Sequence, residues 1–95
     1  MNSLKDSNVL AEESITYGGM VLQYRLTDYG SEKPRFRISV KSGSEYAQAD
    51  VGNDIGLATD CYRAMKEGSV TPCVLEEVAE DFITSRQIFE KSLYK

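Results

Sequence analysis

The chain predicts an α+β domain: a three-stranded antiparallel β-meander followed by two helices packed on one face of the sheet. Three observations predict it. Between Met20 and Val51 apolar and polar residues alternate in short runs separated by clusters of turn formers, the period of half-buried strands. From Ile55 onward the apolar residues return at helical spacing instead. The chain has 95 residues, 41% hydrophobic and 27% charged, which suits one folded domain with a single two-layer core.

Residues 1–14 are polar and aperiodic, and they read as a flexible N-terminal segment ahead of one domain over 15–95. Ile15 and Tyr17 add at most a short extended piece before the Gly18-Gly19 break. In the first strand Met20, Leu22, Tyr24 and Leu26 alternate with Val21, Gln23, Arg25 and Thr27. The turn-rich DYGSEKP stretch, 28–34, ends in Pro34, which has no N–H to give a ladder and belongs at a strand entrance. The second strand, Arg35 to Lys41, turns Phe36, Ile38 and Val40 toward the helices and leaves Arg35, Arg37, Ser39 and Lys41 outside. After Ser42-Gly43-Ser44 the third strand runs from Glu45 to Val51. Its covered face holds Ala47, Ala49 and Val51, small enough for a helix to come close.

Asn53 and Asp54 offer an N-cap for a first helix carrying Ile55, Ala58, Cys61, Tyr62 and Met65 on its apolar stripe, with Gly68 as the residue that ends it. The second helix is expected to start with Thr71 as N-cap and Pro72 at the first helical position. Glu76 and Glu77 follow near the positive end of its dipole. Leu75, Val78, Ala79, Phe82 and Ile83 form its stripe. Arg86 falls in the middle of that stripe at about 100° per residue, so either the last segment leaves the domain or Arg86 reaches water or a carboxylate. The expected core is Leu22, Tyr24, Leu26, Phe36, Ile38, Val40, Ala49, Ile55, Ala58, Tyr62, Met65, Leu75, Val78, Phe82 and Phe89.

The segment EGSVTPCVLEEVAEDFI, 67–83, with the strands and helix before it, resembles a family of short uncharacterised proteins of Firmicutes bacteria, classed as a domain of unknown function. The residues that carry the likeness are Gly68, Thr71, Pro72, Leu75, Val78, Glu80, Asp81 and Phe82, within a span of 20–83. That family often has a histidine where this chain has Val74, so no histidine-dependent role carries over. The resemblance implies the same meander and helix pair in a bacterial, intracellular setting, and it implies no activity.

Composition excludes several chemistries. With no histidine, the usual imidazole base and the commonest transition-metal ligand are missing. Cys61 and Cys73 lack CxxC spacing and read as free thiols of a reducing compartment. No apolar run approaches the roughly 20 residues of a membrane span. The first residues have neither the basic nor the apolar part of a secretory signal, so a cytoplasmic location is expected. Neither Gly18-Gly19 nor Asp28-Tyr29-Gly30 sits between a strand and a helix as a phosphate loop requires. No catalytic, cofactor-binding or metal-ligating residue is expected.

Two surfaces remain. Arg25, Arg35, Arg37 and Lys41 share the outer sheet face with Tyr46, a basic surface with one aromatic. It is expected to be a solvated face, or a docking surface for a protein or a second copy. Single-stranded nucleic acid is the weaker alternative in a chain of net charge -4. Glu76, Glu77, Glu80 and Asp81 form an acidic patch, read as a solvated helix face before a divalent-ion or basic-partner site. The expected function is a non-catalytic protein-interaction or regulatory module that acts on a protein partner or through self-association as a homodimer, without a membrane partner.

Overall fold

The structure, a computed structural model, describes residues 8–93, with side chains described up to Ile88. Four strands, β1 (Asn8–Tyr17), β2 (Met20–Asp28), β3 (Phe36–Ser42) and β4 (Glu45–Asp50), form one antiparallel sheet in chain order. Helix α1 (Ile55–Glu67), a single 3-10 turn (Pro72–Val74) and helix α2 (Leu75–Leu93) follow. The α+β class and the helix pair agree with the sequence reading, but the meander has four strands rather than three. The extra strand runs from residue 8 through the Ile15–Tyr17 piece; residues 1–7 lie outside the described chain.

β1 joins β2 through Gly18 and Gly19, whose φ values of 56° and 82° supply the left-handed two-residue turn that matches strand twist. Its register with β2 is regular from Ala11 to Tyr17 and slips at Leu10, a β-bulge. The helix-facing positions of β1 are therefore Ala11, Glu13 and Ile15, opposite Leu26, Tyr24 and Leu22. A carboxylate at the middle of that face interrupts the alternation by which strands are recognised.

The parity of the other strands is as expected. Phe36, Ile38 and Val40 lie under the helices with Leu22, Tyr24, Leu26, Ala49 and Val51, and all are nearly inaccessible. Ala58, Cys61, Tyr62 and Met65 of α1, with Leu75 and Ala79 of α2, complete this core. Val78 and Phe82 are half-buried and pack against it. Ile55 is a correction: 52% exposed at the first position of α1, it looks outward. Phe89 lies beyond the described side chains.

The caps show where local chemistry decides. Asp54 accepts from the N–H groups of Gly56 and Leu57, at 2.9 and 3.2 Å. The end of α1 is a Schellman motif, with Val70 N–H bonded to Met65 O and Ser69 N–H to Lys66 O. Ser69, with φ 52°, takes the left-handed position expected of Gly68. Gly68 keeps an ordinary φ, and a Cβ there would crowd Ala64 O at 3.2 Å. Thr71 makes no capping bond, because Pro72 opens a 3-10 turn and α2 begins only at Leu75.

Arg86 finds its carboxylate. Its guanidinium meets Asp60 of α1 at 3.2 Å and lies 5.3 Å from the Phe82 ring, so α2 stays on the domain to that point.

Candidate functional site

The sheet face opposite the core carries the predicted basic residues, with Thr27 and Ser39 among them each only 8% exposed. The β2–β3 register sets Arg25 opposite Ser39 and Thr27 opposite Arg37, while Lys41 pairs with Tyr46 across β3 and β4. The face is not a free cationic surface, however. Glu12 of β1, beside Arg25, binds it at 2.7 Å. Asp50 of β4 binds Arg35 at 3.0 Å and accepts from the Tyr29 hydroxyl. Burial pulls the Asp50 carboxyl upward, but hydrogen bonds from Tyr29, Gly52 N–H and Arg35 outweigh it and hold the group below its ordinary pKa. Arg37 stacks 4.0 Å over the Tyr29 ring. Of the predicted basic set, only Arg37 and Lys41 make no ion pair among the described residues.

Tyr29 is placed by the β2–β3 loop. Asp28 accepts from the N–H groups of Gly30 and Arg35, at 3.0 and 3.2 Å, and draws the loop closed. A Cβ on Gly30 would overlap the Lys33 carbonyl, so the loop admits only glycine there.

The acidic patch is divided by the helix that carries it. Glu76 and Glu80 line a cleft of about 430 Å³ together with Ile83 of α2 and with Ala49 and Asp50 of β4, whereas Asp81 lines a different groove with Val78 and Phe82. Among the described residues no three acidic or thiol groups converge as metal ligands. Cys73 is exposed and Cys61 is core, where burial pushes its thiol up to about 11.

A site that sequence reasoning missed lies between β1 and α1. Leu10, Ala11 and Glu13 of β1, Leu26 of β2, and Ile55, Thr59, Tyr62, Arg63 and Lys66 of α1 enclose a cleft of about 280 Å³. Leu10 and Ile55, 48% and 52% exposed, are its open apolar walls. Its polar floor is a network: Glu13 accepts from Lys66 Nζ at 2.5 Å and from the Tyr62 hydroxyl at 3.2 Å. The lysine hydrogen bond is the chief reason that the Glu13 carboxyl sits below its usual pKa, and burial, aided by the Glu13 charge, raises that of Tyr62. The bulge at Leu10 was the hidden determinant, since it takes one residue out of step and no residue type announces it.

No helix among the described residues is long and apolar enough to cross a membrane. Comparison of the chain with protein-family models, curated proteins and solved structures yields no match.

Proposed function

We propose that this protein is a non-catalytic interaction module that takes an extended segment of a partner protein along the free edge of β1, with α1 as the opposite wall. One observation carries the reading. Two large apolar side chains, Leu10 and Ile55, stand half-exposed across a cleft that adjoins a ten-residue strand paired on one side only. An edge strand presents unpaired N–H and C=O groups that an incoming strand satisfies, and a pocket beside it selects among the alternate side chains of that strand. The cleft, about 280 Å³, is smaller than the roughly 300–1,000 Å³ of small-molecule sites and fits a single large side chain. Each apolar wall covered contributes about 25 cal/mol per Å² removed from water.

The single-stranded RNA alternative is weakened by the same geometry, because Glu12 and Asp50 already neutralise Arg25 and Arg35.

The test is selection of binders from a random peptide library on the full chain, followed by amide chemical-shift mapping. Shifts over 8–17 and 55–66 that disappear in Ile55→Glu support the reading. Failure to select any peptide, or binding that ignores Ile55→Glu, overturns it. Salt-sensitive binding of single-stranded RNA with shifts at Arg37 and Lys41 would replace it with the nucleic-acid alternative.

A further inference from the structure

A second surface, on the far helix, points to a different partner. Val78, Asp81, Phe82, Ser85 and Arg86 of α2 line a groove of about 440 Å³ that is walled by this one helix. Val78 and Phe82 touch the core on one side only, and Ile88, one turn beyond Ser85 along the helix, is 60% exposed. Asp81 makes no ion pair among the described residues. Arg86 spends its contact on one oxygen of Asp60, and a guanidinium with five donors has capacity for a second carboxylate.

We propose that this groove is filled by a second copy of the chain, its α2 laid antiparallel across the first. The lining residues are complementary to themselves under a two-fold axis. A single antiparallel register sets Phe82 against the small Ser85 of the second copy and Asp81 against its Arg86, and symmetry repeats both contacts. The antiparallel arrangement also opposes the two helix dipoles and moves the acidic first turns, Glu76 and Glu77, away from each other toward the opposite helix ends. A parallel pair through the same groove would set Asp81 against its own copy, which like-charge repulsion disfavours. This contact leaves the β1 edge free, so it neither requires nor prevents peptide binding there.

Sedimentation and light scattering of the full chain over a concentration series test it. A concentration-dependent dimer is expected. Asp81→Lys, which meets the partner's guanidinium with a like charge, and Ser85→Glu, which fills the position opposite Phe82, each raise the dimer Kd by about tenfold or more. Both positions are exposed, so circular dichroism of the variants is expected to match the parent. A chain that stays monomeric at every concentration overturns the proposal, as does a dimer indifferent to both substitutions.

Discussion

The two edges of the sheet are built differently. β4 is short, and it lies against the Pro72–Val74 turn and α2, with Ala49 buried so that Ala79 of the helix approaches. β1 is longer, and only Ala11 and Ile15 are even half-buried along it. Its outer side faces no strand, its helix-facing side carries a charge, and its first residues bulge. Edge strands that must not pair are commonly protected by bulges and inward charges. Here the same devices open a cleft beside the edge and line its floor with a polar network. The sheet is anchored at β4 and exposed at β1, the edge along which the proposed partner strand would pair.

The largest effect should come from the anchored interior, against which the edge can be measured. Leu22→Ala removes a fully buried side chain and is expected to cost about 2–5 kcal/mol in denaturant unfolding. Ile15→Ala, across the ladder from it on β1, is expected to cost only about 1 kcal/mol because its side chain is half in water. Equal losses would mean that β1 is as much part of the core as β2. Next, Ala49→Leu forces bulk between β4 and α2 and is expected to cost about 1–3 kcal/mol, whereas the same enlargement at Ala11 is expected to be nearly silent.

Stability at β1 depends on pH through Glu13. Because the Glu13 pKa is lowered in the folded chain, its contribution is fully present above the ordinary value of 4.5 and is lost as pH falls through the folded value. Acid melting curves of Glu13→Gln are therefore expected to show a weaker slope below that pH than the parent. Tyr24 and Tyr62 have raised pKa values, chiefly through burial, so their contribution is complete below the ordinary 10.0 and declines above it. Tyr62→Phe is expected to flatten the alkaline limb. The smallest effect belongs to the outer face, where Arg25→Ala and Arg35→Ala each break an exposed ion pair and are expected to change stability by about 0–1 kcal/mol.

Much of this architecture was legible. Period-two alternation in Met20–Val51 located three strands and their buried faces, since a half-buried strand needs that pattern and a helix cannot supply it. Asp54 and the stripe of α1 were equally plain. β1 was not, because Glu13 stands at a helix-facing position where strand alternation calls for an apolar residue, and Leu10 shifts the phase. Glu13 is tolerable there only because Tyr62 and Lys66, far along the chain, bring a hydroxyl and an ammonium to it. The basic stripe lies on the face that alternation predicts, but its neutralisation depends on Glu12, which belongs to β1 and is 13 positions from Arg25.

Local choices are written in the residues themselves: alternation, helical period, the cap at Asp54 and the turn glycines are all set by sterics and hydrogen bonding over a few neighbouring residues. Tertiary structure alone decided which charges cancel, which apolar side chains stay in water and where a cleft opens. Those depend on residues about 10 to 50 positions apart meeting at contact distance, and Coulomb attraction and exclusion of water act only across that distance.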